Sequence, residues 1–232
     1  MADVSTPTLD LFDNPDHAAI YADGPARFVP GFASLHKMAG VLIRETAPQD
    51  AKLLIHGAGG GLELQAFAKQ NPNWRLVGVD PAKPMIQAAR TKLGSLNERV
   101  TLIHGFAEDA PDGPFDAATS FLTLHFLDAE ARRKAVHELV RRLKPGAPFI
   151  TVHCSFPQSP AKRARWLTRH RDYVVASGVD PAEAEAARQS ISDDLELFDP
   201  ELDEDILRQA GLEDVTMFYS AFTWRGWVGH AA

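Results

Sequence analysis

The chain has 232 residues, 45% hydrophobic and 24% charged, the balance of an ordinary globular protein of one domain, or one domain with a cap. A formal net charge of −7 argues against a nucleic-acid backbone as the main partner, and no apolar stretch approaches the length of a membrane span. Cys154 is the only cysteine, so an intrachain disulfide and a zinc site built on thiolates are excluded.

The start, Met1-Ala-Asp-Val-Ser5, lacks the basic and apolar regions of a secretory leader, and a cytoplasmic location is expected. Residues 1–30 combine Asp, Pro and Gly with Phe12, Tyr21 and Phe28, which reads as a loose arm with a short helix. Val29 to Thr46 has helical spacing, with Phe32, Leu35, Met38, Ala39, Leu42 and Ile43 on one apolar face. Pro48 stops it.

Leu53 to Ile55 is a short apolar run that breaks on glycines at 57, 59, 60 and 61, then resumes with helical spacing at Leu62, Leu64, Phe67 and Ala68. A buried strand turning on glycines into a helix presents bare backbone N–H groups and a helix N-terminus to a ligand. The spacing is G-x-G-x-G, not the G-x-G-x-x-G of a dinucleotide fingerprint, since position 62 is leucine. Arg75 to Asp80 reads as the next buried strand, ending in a carboxylate. An acid about 20 residues beyond the glycines is placed to accept both hydroxyls of a ribose.

Pro84 to Leu93 reads as a helix, Arg99 to Gly105 as the third strand and Phe115 to Phe121 as the fourth. Asp128 caps a helix through Leu143, Lys144-Pro-Gly146 ends it, and Ala147 to Cys154 is the fifth strand. This alternation predicts a doubly wound, mostly parallel α/β sheet with its ligand at the carboxyl ends of the strands. Residues 156–205 break the rhythm. A basic helical segment holding Lys162, Arg163, Arg165, Arg169 and Arg171 precedes an acidic one from Asp180 to Asp205. Either two helices of opposite charge pack together, or the basic segment meets an anionic substrate. Glu201 to Ala210 reads as a helix, and 212–229 as two strands joined near Ser220-Ala221 with alternating aromatics, an antiparallel pair.

The motifs His56-Gly-Ala-Gly-Gly-Gly61, Val77-Gly-Val-Asp80 with Pro84-Met85-Ile86, His104-Gly-Phe-Ala-Glu108, Phe115-Asp116 and Leu143-Lys-Pro-Gly146 run in one order over residues 50–155. That ordered set resembles the class I S-adenosylmethionine-dependent methyltransferases. The resemblance implies a Rossmann-like methyltransferase fold with an antiparallel C-terminal strand pair and a helical cap. It implies an arm and helix over the ligand at 1–47, a cofactor-binding core at 48–155, a cap insertion at 156–205, and a helix end with strand pair at 206–232. The cofactor is then S-adenosyl-L-methionine. The positions expected to bind it are Arg27, Gly57, Ala58, Gly59, Gly61, Asp80, Pro81, Met85, Phe106, Ala107 and Phe121, with Tyr21 in the arm a further contact.

Two positions depart from the family pattern. An acid commonly stands two before the first glycine, where this chain has Ile55, so the contact to the cofactor's amino group is missing or supplied elsewhere. Phe106 stands where many members carry an Asp for the adenine amine, with Glu108 and Asp109 close by. A closer likeness is to carboxy-S-adenosylmethionine synthases, in Arg27-Phe-Val-Pro-Gly-Phe32, Phe121-Leu-Thr-Leu-His-Phe-Leu-Asp128 and the aromatic hairpin. Those enzymes convert the sulfonium methyl with prephenate, feeding tRNA wobble-uridine modification, and hold the extra carboxylate with an arginine in the helix before the hairpin. Here that place falls on Ile206, with Arg208 two residues on.

Methyl transfer from a sulfonium needs mainly alignment, so catalytic residues are poorly fixed by motif. His125 is the one candidate general base, and its apolar neighbours Leu124, Phe126 and Leu127 equally suit a buried histidine. His153 faces the same choice, and His56 reads as a residue that orients backbone. No metal site is expected. The expected function is O- or N-methylation of a small-molecule acceptor, with a homodimer allowed and neither membrane nor nucleic acid as partner. The alternatives are a carboxy-S-adenosylmethionine synthase-like enzyme and a non-catalytic cofactor-binding protein.

Overall fold

The computed structural model describes residues 12–21 and 24–232. Two short helices, α1 (Pro15–Ile20) and α2 (Pro25–Phe28), lead into α3 (Phe32–Thr46). The helix expected from Val29 begins three residues later. Pro30 lies ahead of it, and Gly31 at φ 67° occupies its N-cap in the left-handed region, which favours glycine. The core then alternates β1 (Lys52–His56), α4 (Leu62–Gln70), β2 (Arg75–Asp80), α5 (Lys83–Leu93), β3 (Val100–His104), β4 (Ala117–Phe121), α6 (Ala129–Val140) and β5 (Pro148–Cys154). Asp128 caps α6 by accepting the Ala131 N–H at 2.8 Å, as the sequence predicts.

Two further helices, α7 (Pro160–Ala176) and α8 (Pro181–Asp194), precede α9 (Pro200–Gln209) and a hairpin of β6 (Leu212–Ala221) and β7 (Trp224–Ala231). The seven strands form one sheet in the order β3-β2-β1-β4-β5-β7-β6. The first five pair in parallel, and β7 joins β5 and β6 antiparallel. The fold is therefore the Rossmann-like α/β sheet with an antiparallel C-terminal pair. The hairpin turns at Phe222 and Thr223, one step beyond the position expected from the sequence.

Strand alternation sends side chains to two cores, one on each face. Leu54, Val77, Ala118 and Phe149 join α6 and α9 on one face, and Leu53, Ile55, Leu76 and Ile150 join α3 and α4 on the other. Each fully buried Leu, Ile or Phe contributes about 1.5–3 kcal/mol relative to exposure. Both faces being covered forces the glycine-rich loops and strand tips to the carboxyl edge, where a ligand has access. No helix of the described residues is long and apolar enough to cross a membrane.

Candidate functional site

At the tip of β1 the chain turns sharply because Gly57 adopts φ 70° and both the Gly57 and Ala58 N–H groups donate to the Val79 carbonyl, at 2.9 and 3.0 Å. A Cβ at Gly57 would overlap the side chain of Thr123, so this position takes only glycine. A Cβ at Gly59 would lie 3.1 Å from Met85 Cε and 3.5 Å from Asp80 Oδ2. Gly61, at φ 75°, starts α4 where a Cβ would stand 2.9 Å from the Ala89 Cα, so it serves the approach of α4 to α5.

Asp80 ends β2 and is buried. Its Oδ2 accepts the Gly59 N–H at 2.8 Å and its Oδ1 the Ala82 N–H at 2.9 Å. Burial raises its pKa, and those two backbone bonds oppose the rise. Each carboxylate oxygen keeps a second acceptor site for a hydroxyl.

Two cavities meet at this edge. The larger is partly open to solvent and is bordered by Gly57, Gly59, Asp80, Pro81, Met85, Phe106 and Ala107. Phe12, Leu122, Phe126, Leu127, Ala131 and Ala135 give it an apolar wall, and Glu108 and Lys134 pair at its rim at 2.8 Å. The smaller, about 320 Å³, is bordered by Phe32, His36, Gly57, Ala58, Gly59, Glu63 and Phe121. Tyr21 and Leu122 line both.

Leu122 holds φ 54°, a left-handed conformation costly for a leucine, and its N–H donates to the Val152 carbonyl at 2.7 Å. His56 borders the larger cavity with Nδ1 3.0 Å from Ser120 Oγ. Burial lowers its pKa to about 4, and that of His36 likewise, so both are neutral at pH 7. Burial, reinforced by the Asp80 and Glu63 charges, pushes the Tyr21 phenol up to about 12.

Nine of the eleven expected cofactor positions border these cavities, and Gly61 supports them from the helix start. Arg27 does not. It is 46% exposed, reaches Glu183 on α8 at 3.5 Å and borders neither cavity, so a cofactor contact from it is withdrawn. His125 is also corrected. It is 3% exposed, packs against Trp224, and its Nδ1 lies 3.2 Å from the Cys154 backbone N–H. Burial first, then the His153 and Arg132 charges, hold its pKa well below the usual range. It is a buried core histidine that reaches neither cavity, and a general-base role is withdrawn.

The segment 156–205 lies at the same end of the sheet, with the Glu196 N–H on the His125 carbonyl at 2.8 Å. None of its residues borders either cavity. Its charges meet each other: Arg171 reaches Asp172 at 2.6 Å and Glu185 at 3.5 Å, and Arg163 donates to Ser192. Of the five basic residues of this run, Arg171 thus pairs with acids and Arg163 is held by Ser192. No group of three or more metal-ligating side chains occurs among the described residues. Sequence reasoning missed Glu63 and His36. Glu63 hides inside an amphipathic pattern whose spacing already assigns Leu62 and Leu64 to packing.

A ligand suited to these cavities carries a ribose for Asp80, a flat apolar group for the wall at Met85 and Phe106, and a slender tail for the glycine turn. S-Adenosylmethionine has those parts, and the residues bordering the cavities fit it. Residues 54–146 match the model of the methyltransferase domain family. The carboxy-S-adenosyl-L-methionine synthase of Campylobacter lari is 23% identical over 207 residues, covering 89% of this chain and 87% of that protein. The tRNA (carboxymethyluridine(34)-5-O)-methyltransferase of Arabidopsis thaliana is 32% identical over 150 residues, 62% of this chain and 33% of that protein. An O-methyltransferase family protein from Burkholderia thailandensis superposes with a TM-score of 0.66 at 17% identity, over 98% of this chain and 60% of that one. Residues 54–146 thus carry a methyltransferase domain, and the chain is similar to S-adenosylmethionine-dependent methyltransferases, carboxy-S-adenosyl-L-methionine synthases among them.

Proposed function

We propose that the chain methylates an oxygen or nitrogen atom of a small, flat, apolar acceptor. The observation that carries this reading is the wall of the larger cavity, where Phe12, Leu122, Phe126 and Leu127 converge and the one cation among the described lining residues, Lys134, is held by Glu108. The cofactor, when bound, supplies a methyl group already activated by a sulfonium. The protein's part is to position and to exclude water. Asp80 orients a ribose, the glycine turn lets the ligand tail approach the backbone, and Leu122 stands between the two cavities.

A second reading, carboxy-S-adenosylmethionine synthesis, is supported by relatives of that name that this chain matches over 87–89% of its length. Against it stands the place expected to hold the arginine. Ile206 is 1% exposed in the core, and Arg208 points outward to Glu204 at 2.8 Å and Asp205 at 3.5 Å. A carboxylate on the sulfonium would enter an apolar wall without an arginine among the described residues, at a desolvation cost. A nucleic-acid acceptor is disfavoured because the formal net charge is −7 and no arginine is among the described residues bordering either cavity.

The test is mass spectrometry of the small molecule carried through purification, followed by turnover of S-adenosylmethionine against a panel of phenols, amines and carboxylates. A methyl sulfonium or its demethylated product, with methylation of a flat acceptor, is expected. A carboxymethyl sulfonium, or its formation when prephenate is added, would overturn the proposal in favour of the second reading. Strongly salt-dependent binding of bulk tRNA would overturn it in favour of a nucleic-acid acceptor.

A further inference from the structure

We infer that Glu63 is the carboxylate that receives the α-ammonium group of the cofactor, a contact made from the start of α4 in place of an acid on β1.

Glu63 is the second residue of α4, directly behind the glycine turn, and is 6% exposed. Its Oε1 has no hydrogen-bond partner. It borders the smaller cavity, which shares Gly57, Gly59, Tyr21 and Leu122 with the larger one that holds Asp80. A buried acid with an unmatched oxygen at the end of a ligand cavity is costly unless something completes it.

The missing partner is a cation. The titratable groups around Glu63 are Tyr21 from the arm, His36 from α3 and Asp80 across the glycine turn, and none is cationic at neutral pH. Thr119 on β4 faces the carboxyl and is neutral, so it supplies no charge. Burial therefore pushes the Glu63 carboxyl up to about 8, with the Thr119 hydroxyl opposing. An ammonium entering beside Glu63 favours the ionised carboxylate and is held by it, whereas the cofactor's carboxylate gains nothing there.

The place of Glu63 also explains the apolar residue at 55. Ile55 and Thr119 are register partners on neighbouring strands β1 and β4. They therefore share a face of the sheet, and a carboxyl that faces Thr119 stands over this strand pair. An acid at both 55 and 63 would put two like charges into one buried space. The helix supplies the charge, and the strand residue packs in the core between α3 and α4.

The experiment is calorimetric titration of the full chain and of Glu63→Gln with three probes. These are S-adenosylhomocysteine, the same molecule without its amino group, and 5′-methylthioadenosine. Wild type is expected to prefer S-adenosylhomocysteine over the deamino analogue by at least about ten-fold, the effect of one charge-assisted bond. In Glu63→Gln that preference should shrink to within about three-fold while methylthioadenosine binds as before. A preference retained in the variant would overturn the assignment. So would an equal loss for all three probes, which would mark Glu63 as structural only. Absence of methylthioadenosine binding in wild type would instead count against the cofactor site itself. A second measurement needs no variant. Titration of wild type at pH 7 in phosphate and in Tris should show proton release with S-adenosylhomocysteine, since the ammonium ionises Glu63, and less with the deamino analogue. Equal release from both would also overturn the proposal.

Discussion

Gly59 donates its backbone N–H to Asp80 Oδ2 at 2.8 Å, so the glycine turn after β1 and the acid at the end of β2 are one hydrogen-bonded unit. Asp80→Ala therefore removes the carboxylate proposed to accept a ribose and leaves the Gly59 and Ala82 N–H groups without their acceptor. S-Adenosylhomocysteine affinity should fall by roughly 1.5–3 kcal/mol for each charge-assisted bond lost. Calorimetry giving an unchanged dissociation constant would remove Asp80 from the site.

Gly57→Ala should destabilise the fold more than Gly146→Ala. Both positions hold positive φ, 70° and 75°, but a Cβ at 146 meets nothing within 4 Å, whereas at 57 it overlaps Thr123. The conformational cost alone is about 1–2 kcal/mol, and overpacking adds typically 1–3 kcal/mol. Urea unfolding of the two variants checks the difference, and equal midpoints would show that the β1 turn relaxes freely.

Stability of the ligand-free protein should peak near pH 6.5, from two opposed effects. His36 and His56, lowered to about 4 by burial, stay neutral in the folded chain while the unfolded chain takes up protons below about 6.5. Their contribution is therefore full above that pH and is lost as pH falls towards 4, at about 1.4 kcal/mol per unit for each group. Glu63, raised to about 8, acts in the opposite sense. Between its unfolded value, about 4.3, and about 8 the folded chain holds a proton that the unfolded chain has lost, so its penalty grows as pH rises. Glu63→Gln should accordingly be more stable than wild type at pH 8, with the two converging towards pH 4.5. Denaturant midpoints across that range test the sign, and a variant less stable at pH 8 than at pH 5 relative to wild type would contradict it.

Arg132 and Asp203, both 1% exposed, meet at 2.5 Å beneath the sheet, with His153 Nε2 at 3.3 Å from the same carboxylate oxygen. Arg132→Met leaves that carboxylate buried without its main partner, and about 3–5 kcal/mol of stability should be lost. Arg132→Met combined with Asp203→Leu should recover most of the loss. Thermal unfolding of the single and double variants decides, and an additive double variant would show that the pair is not coupled.

The parallel sheet and glycine turn were legible because their signals are local: an apolar run, glycines that break it, and an acid ending the next run. Asp128 as a helix cap was legible for the same reason. Glu63 and His36 were not, since burial beside a cavity depends on where α3, α4 and β4 come together. Arg27 and His125 failed as candidates for that same reason. Their residue types suit the chemistry, but Arg27 lies beside Glu183 and His125 beneath Trp224. The hairpin was expected as an antiparallel pair, and its order in the sheet follows only from the observed pairing of Thr151 with Trp227.

That order bears on how the chain is made. Because β7 lies between β5 and β6, a growing chain exposes the open edge of β5 until residues 224–231 have left the ribosome. Strand β6 emerges earlier but has no sheet to join. An unpaired edge strand on a half-built parallel sheet is a template for pairing with another chain. Strand β7 is therefore the one that seals the core, and the interval before it arrives is when this fold is most exposed to mispairing.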